Sequence, residues 1–296
     1  MTLGDTLAWP ARYLPRKEAL VVSDEHGRRA WTYAELDAEV NRHAHGLQQL
    51  GIGKGDVVAA FLYNTPAFVF TLLAAARLGA IFNPINYRLA AQELAFILQD
   101  GSAKALVFEA EGADVVANAQ VLVPQVQHWI YADPGAAPAF ATAQLDALAA
   151  QQPSTPVAVQ VGEDEPCILM YTSGTTGRPK GVLHTHRSKL AHNAMMHQVM
   201  QFCREDVGLS VAPLNHTAEL HTSFLPRLQV GATQVLQRRF DAADALRLVE
   251  QEKVTFFFAA PTMVTMLLND PSLAQRNLSS LRLVEYGGAS MAPHLI

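Results

Sequence analysis

The sequence predicts an α/β fold in which mostly parallel sheets are flanked by helices. Short runs of apolar residues alternate with segments whose apolar residues recur at helical spacing. Glycines repeatedly follow the helical segments, as expected where a helix ends and the chain turns into a strand. With 296 residues, the chain is long enough for one large domain or two ordinary ones with a buried core.

The alternation begins near Thr32, which is followed by Glu35 in the spacing of a helix capping box. Leu36 and Val40 then fall on one helical face, and Gly51 ends the segment. The other predicted elements of the first half are a strand over 57–63, a helix from Pro66 to residue 78 with Gly79 as its stop, a strand over 80–85, a helix over 90–102 and a strand over 104–110.

A change in composition separates the two halves of the chain. Residues 131–166 are rich in Ala, Gln and Pro and contain one short helical pattern over 144–149, which indicates a connecting region. The second half contains predicted strands over 167–172, 181–186, 207–214, 232–237, 254–261 and 281–288, and predicted helices over 189–202, 219–228, 242–252 and 262–268. We therefore expect two α/β subdomains, 1–155 and 156–296.

Composition argues against several classes of partner and location. A formal net charge of −5 gives no basic footprint for a nucleic acid. The N-terminus has no apolar signal core, and no window of about 18 uncharged apolar residues predicts a membrane span. Cys167 and Cys203 lie outside any metal-binding or redox spacing, so we expect two buried free thiols. A cytoplasmic protein is the resulting expectation.

A loop rich in small and hydroxylated residues follows the strand predicted over 167–172. The stretch YTSGTTGRPKGVLHTH, residues 171–186, places two glycines and four Ser or Thr side chains ahead of Lys180. Glycines let a backbone approach a ligand, so consecutive loop amides can converge on an anion. The hydroxyls and the ammonium add donors, and the whole set predicts a cradle for a polyphosphate. A Ser/Thr/Gly-rich hairpin turn without a ligand is the alternative.

The loop differs from the Walker loop of P-loop kinases and NTPases. That pattern needs Gly-Lys followed by Ser or Thr, and it opens a helix. Here Lys180 stands three residues beyond Gly177, and an apolar strand pattern follows. The spacing therefore argues against a P-loop enzyme.

The twelve residues YTSGTTGRPKGV resemble the phosphate-binding signature of the adenylate-forming superfamily, which includes acyl-CoA synthetases, luciferases and the adenylation domains of peptide synthetases. Upstream, WTYAEL, GIGKGDVVA and LGAIFNPINYRL are similar to segments of fatty- and aryl-acid–CoA ligases. Downstream, APLNHTAEL resembles the family's Pro-Leu-x-His segment, and VEYGGASM resembles its Gly-Gly-Ala segment. The resemblance covers essentially the whole chain.

The resemblance implies that ATP and a small-molecule carboxylic acid react here, that Mg²⁺ helps pyrophosphate to leave, and that coenzyme A takes the acyl group as a thioester. It implies catalytic roles for Lys180, Thr176 and His216, with His216 beside the acyl carboxylate. Asn215 departs from the aromatic residue common before this histidine. The implied nucleotide-binding residues are Thr172, Ser173, Gly174, Thr175, Thr176, Gly177 and Lys180 at the terminal phosphates, and Gly287, Gly288 and Ala289 along the adenine and acyl pocket. No residue is assigned to a metal.

The sequence departs from the family after the Gly-Gly-Ala segment, because the family's Tyr-Gly-x-Thr-Glu segment, its ribose-binding Asp and its C-terminal domain with a further Lys do not occur in the 296 residues. We therefore expect an incomplete N-terminal domain of an adenylate-forming enzyme. The expected function is that of an ATP-dependent carboxylic acid–CoA ligase, in a truncated form deficient in the full reaction. The alternative is a non-catalytic nucleotide-binding or interaction remnant. Apolar surface uncovered by truncation leads us to expect self-association.

Overall fold

The computed structural model of the protein describes residues 1–25, 27–172 and 178–291. The chain divides into two compact units that interleave along the sequence. The first unit comprises Met1–Thr6, Leu36–Leu62 and Pro66–Leu190, and the second comprises Leu7–Glu35, Tyr63–Thr65 and Ala191–Ile296.

Strands and helices alternate along the described residues, as the sequence predicts. The strands are β1 (Glu18–Asp24), β2 (Gly27–Thr32), β3 (Val57–Phe61), β4 (Ile81–Pro84), β5 (Ala103–Phe108), β6 (His128–Tyr131), β7 (Ala143–Gln144), β8 (Pro166–Thr172), β9 (Lys180–Thr185), β10 (Val207–Ser210), β11 (Thr233–Leu236), β12 (Phe256–Ala259) and β13 (Leu283–Tyr286). The α-helices are α1 (Ala8–Tyr13), α2 (Tyr33–Gln49), α3 (Pro66–Leu78), α4 (Ala91–Asp100), α5 (Ala113–Gln120), α6 (Leu145–Ala150), α7 (His186–Met200), α8 (Leu225–Gln229), α9 (Ala242–Gln251) and α10 (Pro261–Leu268). Short 3₁₀ helices span Leu3–Asp5, Ala110–Gly112 and Leu273–Gln275, and a π-helix spans Ala218–Phe224.

A seven-stranded sheet forms the centre of the first unit, with the strand order β7-β6-β5-β3-β4-β8-β9. Neighbouring strands are parallel except β8 and β9, which form an antiparallel hairpin. Every residue of β3 is buried, and α3 is buried on nearly all sides because it is apolar all round. Leu94 and Leu98 of α4 pack in one cluster with Leu106 of β5 and Val116 of α5.

A six-stranded sheet forms the centre of the second unit, with the strand order β13-β12-β10-β11-β1-β2. All neighbours are parallel except the pair β1–β2. The apolar face of α9 packs Leu246 and Val249 against Leu209 of β10 and Phe257 of β12. Because β10, β12 and β13 run parallel, their carboxyl ends lie at the same edge of this sheet.

The predicted α/β class is confirmed, and most predicted elements lie where the apolar periodicity places them. The helix predicted over 189–202 begins earlier, at His186, because the hydroxyl of Thr185 accepts the Ser188 amide at 3.2 Å and caps the first turn. The helix predicted over 219–228 is a π-helix that continues into α8. Strands β1, β2, β6 and β7 were not predicted.

The compact units do not follow the expected boundary between residues 155 and 156. Strand β1 pairs in parallel with β11, which brings an early segment into the sheet of the second unit. Strands β8 and β9 pair with β4 and with each other, which places the phosphate-loop hairpin in the first unit. A short apolar strand pattern does not specify its partner, so the sequence could not predict this exchange of segments.

Cys167 is buried as predicted, whereas Cys203 is exposed, and both are free thiols. Burial raises the pKa of Cys167 to about 12, so this thiol is not an activated nucleophile. None of the described helices has the length and apolarity needed to cross a bilayer.

An apolar cavity of about 350 Å³ lies in the second unit, lined by residues of α9, α10 and β13. Three of its lining side chains, Leu268, Val284 and Tyr286, are among the exposed large hydrophobic residues of the chain. Strand β13 is also an edge strand of the six-stranded sheet. Exposed apolar surface of this kind favours association. Self-association stays a prediction.

Candidate functional site

The loop predicted to bind phosphate connects the antiparallel strands β8 and β9. Thr172 and Lys180 are register partners at the end of this hairpin, and both are exposed. Five further predicted loop residues, Ser173, Gly174, Thr175, Thr176 and Gly177, lie outside the described residues. The structure therefore places the first and last residues of the predicted cradle opposite each other, where β8 ends and β9 begins.

Tyr171, one residue before Thr172, anchors the loop end of the hairpin. Its hydroxyl donates a hydrogen bond of 2.7 Å to the Asp100 carboxylate at the end of α4. Burial, together with this bond, raises the pKa of the Tyr171 phenol, so the phenol stays protonated and remains a donor. Gly181 and Gly101 make room for the ring, because a Cβ at either position would lie 3.3 Å from atoms of Tyr171.

The described end of the hairpin has donors that suit a phosphate. Lys180 supplies an ammonium and Thr172 a hydroxyl, and both groups donate hydrogen bonds to phosphate oxygens. A metal ion needs several His, Cys, Asp or Glu side chains together. Among residues 1–25, 27–172 and 178–291 no such group of three or more is present. Binding of a phosphate by Thr172 and Lys180 stays a prediction.

His216 lies in the turn that follows β10 in the second unit. Its amide donates to the Pro213 carbonyl at 3.0 Å, and its carbonyl accepts the Leu220 amide at 3.0 Å. The first hydrogen bond closes the turn, and the second leads into the π-helix. Leu214 and Asn215 before it are buried, whereas the His216 side chain is exposed. An exposed imidazole at the carboxyl edge of a parallel sheet is well placed to meet a ligand.

Gly287, Gly288 and Ala289 follow the carboxyl end of β13, which lies at the same sheet edge as the end of β10. Gly287 is half-buried, and a Cβ on it would lie 3.5 Å from the Phe258 ring. Gly288 has a φ of +85°, a left-handed conformation that favours glycine. Gly288 and Ala289 are exposed, so this segment can form one wall of a ligand site.

A buried ion pair that the sequence did not lead us to expect lies next to the His216 turn. Glu219 of the π-helix and Arg227 of α8 are both fully buried, with 3.2 Å between Glu219 Oε1 and Arg227 Nη2. Arg227 also donates to the Ser223 carbonyl at 3.0 Å and lies 5.1 Å from the centre of the Phe256 ring. Desolvation outweighs the attraction of Arg227 and raises the pKa of Glu219 to about 7.

The same cluster connects the π-helix to the strands on which the candidate site stands. The Ser223 hydroxyl donates to Glu285 of β13 at 3.4 Å. Gly208 of β10 leaves the space that Arg227 fills, since a Cβ there would lie 1.7 Å from Nη1. The sequence offered little signal for this pair, because Glu219 and Arg227 stand in a predicted helix that also contains the polar residues His221, Thr222 and Ser223.

The predicted site residues that the structure describes fall into two groups, one in each compact unit. Thr172 and Lys180 meet at the hairpin of the first unit. His216 follows β10, and the segment of Gly287, Gly288 and Ala289 follows β13, two parallel strands of the second unit that are separated by β12. Their roles toward a nucleotide or an acid stay predictions.

Comparison with known proteins gives one consistent result. The family model described as "AMP-binding enzyme" matches residues 7–296. The chain is 36% identical over 288 residues to a feruloyl-CoA synthase of Amycolatopsis sp., which covers 97% of this chain and 55% of that protein. It is 36% identical over 297 residues to the long-chain-fatty-acid–CoA ligase FadD13 of Mycobacterium tuberculosis, at 99% and 56% coverage. The chain thus spans about half the length of the curated relatives it matches.

Solved structures agree with the sequence relatives. The inhibitor-bound N-terminal domain of FACL13 from Mycobacterium tuberculosis superposes with a TM-score of 0.91 at 33% identity, over 100% of this chain and 72% of that chain. The anthranilate CoA ligase AuaEII, in complex with anthranoyl-AMP, superposes with a TM-score of 0.89 at 26% identity, over 100% and 55%. The fold, the hairpin signature and the family match point the same way, and the chain belongs to the AMP-binding enzyme family.

Proposed function

We propose that this chain carries the nucleotide-binding and acid-activating part of an ATP-dependent carboxylic acid–CoA ligase. In the first step a carboxylate oxygen attacks the α-phosphorus of ATP, the bond to the β-phosphate oxygen breaks, and pyrophosphate leaves. In the second step the sulfur of coenzyme A attacks the acyl carbon, AMP leaves with the bonding electrons, and the thiol proton passes to solvent. Both steps depend mainly on positioning and charge neutralisation.

The observation that carries the proposal is the sequence YTSGTTGRPKGV, residues 171–182, together with the pairing of its exposed residues Thr172 and Lys180 at the ends of β8 and β9. Its glycines, hydroxyls and ammonium supply donors for the triphosphate. We assign Lys180 and Thr176 to the phosphates and His216 to the acyl carboxylate. Gly287, Gly288 and Ala289 would form a wall for adenine and the acid. The names of the relatives support the reaction class, because each joins coenzyme A to a carboxylic acid or its acyl group. These are feruloyl, a long-chain fatty acid, 4-coumarate and indoleacetate.

We also infer that the 296 residues alone bind ATP weakly and form little thioester. The printed sequence contains no Tyr-Gly-x-Thr-Glu segment, which the family resemblance associates with phosphate and Mg²⁺. Isothermal titration with ATP and Mg²⁺ measures the first part of this inference. A dissociation constant in the low micromolar range would contradict it.

The reaction class is tested by identifying the bond of ATP that is cut. The protein is incubated with ATP, Mg²⁺ and ferulate, 4-coumarate or dodecanoate, and hydroxylamine traps any acyl-adenylate as a hydroxamate. An adenylating enzyme yields AMP and pyrophosphate only when an acid is present. Production of ADP would contradict the proposal, and nucleotide binding without acid-dependent cleavage would favour the non-catalytic alternative.

Replacing Lys180 should weaken binding of the triphosphate selectively. In Lys180→Ala we expect ATP affinity to fall by about 10- to 100-fold, since one charge-assisted contact contributes roughly 1.5–3 kcal/mol. AMP affinity should change by less than about threefold, because the ammonium is assigned to the terminal phosphates. Calorimetric titration of both nucleotides measures the two losses.

Arg178→Ala is the matched control for Lys180→Ala, because Arg178 is an exposed cation in the same hairpin connection. It tests whether any positive charge near the loop has the same effect. We expect a smaller loss of ATP affinity than in Lys180→Ala. Equal losses of ATP and AMP affinity in Lys180→Ala would instead mean that Lys180 supports the hairpin and does not touch the phosphates.

A further inference from the structure

We propose that Asn64 is a positioning residue for the acid-activating step, because it anchors the turn that presents His216. The proposal rests on the role assigned to His216 above. Asn64 itself lies too deep to meet a substrate, since its exposed fraction is 4%. Its effect must therefore pass through the main chain of the turn.

The segment that carries Asn64 is anchored in the second unit. Tyr63, Asn64 and Thr65 follow β3, yet their contacts assign them to the unit that contains β10 and β11. The Asn64 amide donates to the Arg238 carbonyl at 3.2 Å, and the Arg238 guanidinium lies 4.8 Å from the centre of the Tyr63 ring. Both contacts fix the backbone of Asn64, so its side chain has a defined starting point.

The Asn64 side chain bonds to the main chain on both sides of Pro213. Its Nδ2 donates to the Ala212 carbonyl at 2.9 Å, and its Oδ1 accepts the Leu214 amide at 2.8 Å. Nδ2 also donates to the Gln237 carbonyl at 3.1 Å, just beyond the end of β11. A carboxamide has the two donors and the acceptor that this arrangement needs, and aspartate or leucine does not.

A short chain of main-chain contacts leads from this anchor to the imidazole. Leu214 is 1% exposed and is held by Asn64, and Pro213 accepts the His216 amide at 3.0 Å. The His216 carbonyl in turn accepts the Leu220 amide, a hydrogen bond that leads into the π-helix. The exposed His216 side chain thus stands on a turn whose buried half is bound to Asn64. Loss of the carboxamide should release the turn locally while the sheet beside it remains intact.

The test compares Asn64→Ala with Asn41→Ala. Asn41 is the matched control because it is also buried, donates to the Ser154 carbonyl at 2.8 Å and accepts from Arg77 at 2.6 Å, all within the first unit. In Asn64→Ala we expect the Leu214 amide to exchange with deuterium about 10- to 100-fold faster, while core amides such as Val235 change far less. In Asn41→Ala the Leu214 amide should follow the core amides.

The functional measurement is the affinity for ferulate, which is obtained from the change of the His216 imidazole NMR signals during titration. We expect the ferulate dissociation constant to rise roughly tenfold in Asn64→Ala, with ATP affinity changed less than about twofold, because only the acid-facing turn is released. Asn41→Ala should leave both constants unchanged.

Two results would overturn the role of Asn64. One is exchange at Leu214 that is unchanged or accelerated only as much as in the core. The other is unaltered ferulate affinity despite local release of the turn. A wild-type His216 signal that does not respond to ferulate contradicts the role assigned to His216 instead, and the exchange comparison still decides whether Asn64 anchors the turn.

Discussion

Gly208→Ala is expected to lower the free energy of unfolding by about 3–5 kcal/mol, the usual cost of breaking a buried ion pair. The added Cβ would lie 1.7 Å from Arg227 Nη1 and 2.3 Å from Cζ, so the guanidinium must leave its position. A surface arginine could swing into solvent, but Arg227 is fully buried. Urea denaturation of the variant and the wild type measures the difference.

The control for Gly208→Ala is Gly53→Ala. Gly53 has no atom within 4 Å of an added Cβ and does not have a left-handed backbone, so we expect a change below about 0.5 kcal/mol. Combining Gly208→Ala with Arg227→Met and Glu219→Leu should cost less than the separate changes added together, because the overlapping guanidinium is gone. A Gly208→Ala protein as stable as the wild type would contradict the described position of Arg227.

Arg227→Met should have an effect of similar size, about 3–5 kcal/mol at neutral pH. Without the arginine, the fully buried Glu219 carboxylate loses its partner at 3.2 Å. The double variant Arg227→Met/Glu219→Leu should recover most of the loss, because two apolar side chains leave no buried charge. Thermal and urea unfolding of the three proteins measure the coupling. Equal stability of Arg227→Met and the double variant would mean that the unpaired Glu219 carboxylate is not the cause of the loss.

The pH dependence of stability gives an independent measure of the pair. Burial raises the pKa of Glu219 to about 7, above the value of 4.5 for an exposed carboxyl group, so the folded protein binds this proton more tightly than the unfolded chain. The stabilisation from that proton is complete below about pH 4.5 and is lost as the pH rises to about 7. Glu219→Gln should remove this part of the pH dependence, which urea denaturation of both proteins between about pH 4 and pH 8 measures.

Much of the fold could be predicted because local patterns determine it. Gly79 ends α3 with a φ of +67°, and the apolar runs of β3 and β12 are buried as their composition predicts. Strands β1 and β2 could not be predicted as part of the second unit, since pairing of β1 with β11 depends on packing between distant segments. For the same reason, the sequence could not predict which segments belong to which of the two units.

For the candidate site, the sequence supports a prediction where the residue types themselves carry the chemistry. Glycines, hydroxyls and Lys180 in one loop indicate phosphate without any knowledge of the fold. The roles of Asn64, Glu219 and Arg227 were not predictable, because each depends on a partner far along the chain or in the interior. Asn64 followed an apolar strand and resembled an ordinary turn residue before a proline.

We propose that residues 172–180 bind the terminal phosphates of a nucleotide. The most direct measurement is the change in backbone amide NMR signals when ATP with Mg²⁺, or AMP, is added to the wild-type protein. We expect ATP to shift the amides of these residues much more than AMP does, and Lys180→Ala to reduce the difference. Equal shifts with both nucleotides, or shifts confined to other parts of the chain, would contradict it.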